Sequence, residues 1–181
     1  MNPYFVPGAC FEDAFQVKVR PFNALTLSKA FGIAGGFIGG KQVLIDYLKQ
    51  KARPFLFSTG LDMSMCNAGI AIVNEMEKSD ERVKMLWDNA KYLQAKFVET
   101  GYSIGDTVTP ITPFMVYDEA LATELTAKLF EKNILVSPIM YPTVALGKAR
   151  IRLMLSAAHS KDLLDYAFDV ITSTYEEIKN K

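Results

Sequence analysis

Lys29 lies in TLSKAFGIAGG, Thr26 to Gly36, where small and apolar residues surround a single cation. An exposed lysine titrates near about 10.4, so at neutral pH little of it is the free amine that attacks a carbonyl. Packing among Leu27, Ala30, Phe31 and Ile33 would disfavour the ammonium form, the setting that makes a Schiff-base lysine. Thr26 adds a hydroxyl, and the glycines after Phe31 let backbone amides approach an anion such as a phosphate. The other reading is that Lys29 snorkels from a strand end and the glycines only make a turn. A second set of candidates lies in RIRLML. Alternation puts Arg150, Arg152 and Met154 on one side of a strand and Ile151, Leu153 and Leu155 on the other. A guanidinium there is a rigid two-pronged clamp for a carboxylate.

The elements that position these residues follow from periodicity. Two short strands, Asn23 to Leu27 and GFIGG from Gly36, flank the lysine turn. KQVLIDYLKQK reads as an amphipathic helix that Pro54 stops, with FLFST extended after it. Helical patterns follow over about 62–78 and 80–100, with Gly101 as the terminator of the second. Beyond Tyr102, strand and helix alternate: ITPFMVY, then DEALATELTAKLFEKN, then ILVSPIMYP and ARIRLMLS, and a closing helix from Ser160 to Lys179 with Ser160 as its cap. The expected organisation is an irregular segment 1–22, a partial large domain 23–101 and a small α/β domain 102–181.

Composition removes several function classes. Of 181 residues, 50% are hydrophobic, a globular proportion. Lys plus Arg and Asp plus Glu both number 20, so there is no broad basic field for nucleic acid. Two distant cysteines and one histidine support neither a metal site nor a disulfide framework, which fits a reducing cytoplasm. The longest apolar stretch, Ala30 to Gly40, is too short and glycine-rich to cross a bilayer, so no membrane partner is expected. Cys66 reads as a small core residue, and His159 as a capping and packing residue before the last helix.

TLSKAFG resembles the cofactor-lysine motif of the α-oxoamine synthases, pyridoxal-phosphate (PLP) enzymes that join an amino acid to an acyl-CoA. The resemblance continues in order through RPFLFST (Arg53 to Thr59), YPTVALGKARIRLMLSAAH (Tyr141 to His159) and the closing helix. It implies a fold-type I PLP-dependent transferase, represented here by the C-terminal part of the large domain and the small α/β domain. It also implies that Lys29 holds the cofactor covalently and moves the substrate α-proton, and that Thr26 binds the cofactor phosphate. Ser58 and Thr59 match a loop that reaches the phosphate of a neighbouring subunit, which implies a homodimer; a helix-entry cap before Leu61 is their alternative role. Arg152 matches the carboxylate clamp, whereas Arg150 reads as a surface charge.

Within the family the motifs are most similar to glycine C-acetyltransferase, which implies glycine plus acetyl-CoA giving 2-amino-3-oxobutanoate. The 8-amino-7-oxononanoate synthases share most of the same features. The family's ring-pairing aspartate and stacking histidine precede the lysine. Before Lys29 this chain has only Asp13 and no histidine, and residues 1–22 do not resemble the family. The expectation is a chain that is weakly active or inactive alone, or a non-catalytic remnant or partner subunit. A complementing N-terminal chain would then be its partner, with the helices over 62–78 and 80–100 left to cover a large-domain sheet.

Overall fold

The computed structural model describes residues 22–180, so Asp13 and nearly all of the expected irregular segment lie outside the described residues. The chain divides into two compact units, one ending at Asp80 and the other beginning at Glu81.

In the first unit, strands β1 (Phe22–Thr26) and β2 (Gly36–Gly40) form an antiparallel hairpin with Thr26 opposite Gly36. Only glycine fits where the hairpin closes. A side chain on Gly36 would come within 2.7 Å of the Leu25 carbonyl oxygen, and Gly35 has φ 106° and would meet Leu61 at 2.5 Å. Helix α1 (Gln42–Lys51) follows as expected. Pro54 does not lead into an extended segment. It sits in the first turn of a short helix, α2 (Arg53–Leu56), where the missing amide hydrogen is unneeded. Helix α3 (Met63–Lys78) is capped by Asp62, whose carboxylate accepts the Ser64 amide at 2.7 Å. Hydrogen bonding from the Ser64 side chain, then from its amide, holds the Asp62 carboxyl below its ordinary value. The cap is therefore Asp62, and not Ser58 or Thr59. None of the described residues 23–80 is buried, so among themselves they close no core. The Cys66 expected in a core is accordingly half-buried.

The second unit has such a core. Helix α4 (Glu81–Glu99) ends where Gly101 takes φ 87° and the Tyr102 amide donates to the Phe97 carbonyl at 2.8 Å, closing the turn as the glycine predicts. Strand β3 (Ile111–Tyr117), helix α5 (Glu119–Glu131), strands β4 (Ser137–Ile139) and β5 (Ala149–Met154), and helix α6 (Lys161–Lys179) complete it. The sheet is antiparallel in the order β3-β5-β4, so β5 is central. Phe114 and Ile151 from its inner face meet Leu93 and Phe97 of α4, Leu125 of α5 and Ile171 of α6. Burying each such side chain stabilises by about 1.5–3 kcal/mol relative to exposure. Helix α4, assigned from its sequence to the large-domain piece, therefore lies in the second unit, because its apolar stripe Ala90, Leu93 and Phe97 is buried there.

Two polar features fix α6. Ser160 caps it, accepting the Leu163 amide at 3.3 Å. Ser160→Ala is expected to cost about 1 kcal/mol, read as a lower denaturation midpoint in urea at unchanged slope. Asp165 accepts from the Lys96 ammonium at 2.5 Å and from the Tyr92 hydroxyl at 2.7 Å, tying α6 to α4.

Lys96, then Tyr92, hold the Asp165 carboxyl below its ordinary value, and chiefly the same Asp165 bond raises Lys96. A depressed carboxylate contributes stability that is full above its unfolded value, about 3.9, and is lost as pH falls through the folded value. The raised lysine acts oppositely, contributing below about 10.4 and losing that contribution as pH rises through its folded value. Asp165→Asn should thus lower the melting temperature at neutral pH. It should also converge on the parent as both are acidified towards about pH 2. Melting curves offset by the same amount at every pH would contradict this account.

Candidate active site

The hairpin turn gathers the first candidates. The Leu27 amide donates to Gly35 O at 2.9 Å, the Ile33 amide to Leu27 O at 3.2 Å and the Gly32 amide to Lys29 O at 3.1 Å, so residues 27–35 fold back as a tight loop. At its base the Thr26 and Ser28 hydroxyls lie 2.8 Å apart, and the Ser28 amide donates to Thr26 Oγ1 at 3.3 Å. This brings two hydroxyls and one backbone amide together on the turn that carries Lys29. Ser28 is the residue that the sequence reading passed over. Its signal was the two-residue spacing Thr-x-Ser, which lets one hydroxyl bond the other residue's amide.

Lys29 is exposed and forms no ion pair among the described residues. The apolar packing expected around it is not supplied by its neighbours. Ala30 is exposed, while Leu27, Phe31 and Ile33 turn the other way to line, with Leu61, Met65 and Cys66, an open apolar groove of about 430 Å³ beside α3. The turn thus separates the amine from the apolar residues adjacent to it in sequence.

Ser58 follows α2, and its hydroxyl donates to the Pro54 carbonyl; Ser58 and Thr59 are both exposed. Arg152 belongs to the second unit, on the outward face of β5. There the alternation read from sequence holds, with Ile151 and Leu153 buried, Arg152 and Met154 exposed, and Arg150 half-buried. His159 has the structural role expected of it. Its Nδ1 accepts the Ser156 amide at 3.3 Å, and its carbonyl accepts the Asn89 side-chain amide at 2.9 Å. Among the described residues no group of acidic, histidine and cysteine side chains could hold a metal, and no helix is long and apolar enough to cross a membrane.

The turn fits both reactive ends of pyridoxal phosphate, offering two adjoining hydroxyls for a phosphate and, among the described residues, an amine without an ion pair for an aldehyde. Residues 5–171 match the family of class I and II aminotransferases, so the likeness begins well before Thr26 and includes most of the segment that was not expected to resemble the family. An 8-amino-7-oxononanoate synthase of Petrotoga mobilis is 57% identical over 84% of this chain and 38% of its own length. The crystal structure of an 8-amino-7-oxononanoate synthase from Francisella tularensis superposes with TM-score 0.74 at 25% identity, over 87% of this chain and 45% of that one. A serine palmitoyltransferase variant from S. paucimobilis with a bound PLP–myriocin aldimine shares the fold, with TM-score 0.78 at 20% identity over 88% of this chain and 41% of that one.

These findings define part of a fold-type I PLP-dependent transferase. The chain belongs to the class I and II aminotransferase family and, within it, to the PLP-dependent α-oxoamine synthases, a family of enzymes. It spans about two-fifths of the length of the curated relatives it matches. Those relatives favour 8-amino-7-oxononanoate synthase over the glycine C-acetyltransferase expected first.

Proposed function

We propose that this chain carries the cofactor-lysine part of an 8-amino-7-oxononanoate synthase-type acyltransferase. The observation that supports it most is the exposed Lys29 amine, without an ion pair among the described residues, on one turn with the Thr26 and Ser28 hydroxyls. The product named for the relatives has an amine at C8, a ketone at C7 and a carboxylate at C1. Cut between C7 and C8, it comes from alanine and a seven-carbon ω-carboxyacyl thioester of coenzyme A. Joining alanine's α-carbon to the acyl carbonyl forms one C–C bond and releases the thiol, and alanine's carboxylate leaves as carbon dioxide.

Pyridoxal phosphate, when bound, supplies the aldehyde and the electron-withdrawing ring that make such an α-carbon reactive. Thr26 and Ser28 hold its phosphate through their hydroxyls, with the Ser28 amide orienting Thr26 Oγ1. The Lys29 amine is the nucleophile that retains the cofactor and the base that carries the α-proton. Arg152 clamps the amino-acid carboxylate, and Ser58 and Thr59 reach the phosphate of a second copy across a dimer interface.

The experiment is to incubate the chain with the cofactor, reduce it with borohydride and locate the added mass among its peptides. Attachment at Lys29 supports the reading, and attachment spread over the surface lysines removes it. With the complete enzyme, preference for alanine and the seven-carbon thioester over glycine and acetyl-CoA separates the two substrate readings.

One observation favours a second role beside this one. Among the described residues of the first unit none is buried and an apolar groove stands open, a surface that further polypeptide would cover. A complementing N-terminal portion, in the same protein or supplied separately, is that polypeptide.

A further inference from the structure

We infer that Arg150 recognises the distal carboxylate of the acyl substrate, so that the outer face of β5 holds a two-ended substrate between Arg152 and Arg150. The inference rests on the 8-amino-7-oxononanoate reading and adds a specificity-determining residue to it.

Arg150 and Arg152 occupy successive outward positions of the central strand, about 6.7 Å apart along it. In register, Arg152 is flanked by Pro113 and Ser137, and Arg150 by Met115 and Ile139. The two arginines are held differently. Arg152 is exposed, whereas Arg150 is half-buried and its Nε donates to the Lys148 carbonyl at 3.1 Å. That bond uses the inner edge of the guanidinium and leaves its two terminal nitrogens as an oriented pair, the geometry that grips a carboxylate.

Neither arginine pairs with an acid among the described residues. Two like charges on neighbouring outward positions repel, and an incoming dianion relieves that repulsion. The proposed acyl substrate and alanine together present two carboxylates joined through a run of methylenes, until carbon dioxide leaves. Ile139 beside Arg150 and the exposed Met154 beyond Arg152 give that run an apolar surface.

The test titrates the full chain, by calorimetry, with 8-amino-7-oxononanoate and with its methyl ester, which differ only in the distal charge. The acid is expected to bind the parent roughly tenfold or more tightly than the ester, the size of one charge-assisted contact. Arg150→Gln should erase that preference, Arg150→Lys should keep part of it, and Arg152→Gln should keep it, because this product no longer has the amino-acid carboxylate. Equal binding of acid and ester, no binding of either, or a preference that survives Arg150→Gln or disappears in Arg152→Gln would each overturn the inference. Borohydride trapping at Lys29 reads the cofactor assignment separately, so failure of one can be told from failure of the other.

Discussion

Lys29→Ala is expected to abolish site-specific retention of pyridoxal phosphate after borohydride reduction. In the parent chain the added mass should sit on the peptide containing Lys29 at close to one per chain. The effect should be large because an amine is the only group on this turn that can condense with an aldehyde, and Lys29 is its only amine. Exposure is the strongest objection. Any exposed lysine can react slowly with an aldehyde, and Lys41, Lys49 and Lys51 are exposed as well. What should set Lys29 apart is the phosphate grip next to it. Thr26→Ala removes the hydroxyl that both meets Ser28 Oγ and accepts the Ser28 amide, so it should weaken saturation of the Lys29 peptide by about tenfold. Phosphate-free pyridoxal should label the parent no better than it labels Thr26→Ala. Equal labelling of Lys29 and Lys41 at every concentration would show that the turn selects nothing.

That turn also shows what a sequence can and cannot disclose. Its residue types and the flanking strands were legible, because GFIGG after a glycine-rich run reads as the return strand of a hairpin. Which way each side chain faces was not legible. Leu27, Phe31 and Ile33 are neighbours of Lys29 in sequence, yet the loop directs them to the groove beside α3 and leaves the amine in solvent. Pro54 was misjudged for a related reason, since proline ends a helix when it arrives inside one but suits the first turn of the next.

The second unit was easier to read, because its helices and the strands β3 and β5 each bury one face within the unit. ITPFMVY forms β3 over the expected residues, Ser160 caps α6, and the in-out alternation of β5 placed Arg152 outward before any coordinates. The partner of α4 was not legible, because an apolar stripe states only that a helix packs and never against what. Nor were the substrates. The lysine, hydroxyl and arginine motifs are shared by enzymes that use glycine and those that use alanine, and only contacts to the variable ends of the substrates separate them.

Phe97→Ala should be the most damaging core substitution, costing about 3–5 kcal/mol. Phe97 is fully buried, and its ring lies 5.3 Å from that of Phe114, 5.1 Å from Phe168 and 6.4 Å from Tyr102. It therefore joins α4 to the sheet, to α6 and to the segment after Gly101. Removing it takes away the ring's transfer free energy and leaves a cavity walled by rigid aromatic groups that cannot collapse into the space. A unit of this size has about 5–15 kcal/mol of stability in total, so a large share is at stake. Denaturation in urea, followed by fluorescence of the chain's single tryptophan, Trp87 on α4, should show a much lower midpoint, with Phe97→Leu in between. The site should respond only through unfolding. The inner residues Ile151 and Leu153 anchor β5 to the same core, so Arg150 and Arg152 should keep their outward positions for as long as the unit stays folded. An unfolding free energy within about 1 kcal/mol of the parent would mean that the aromatic cluster is not what holds α4 to the sheet.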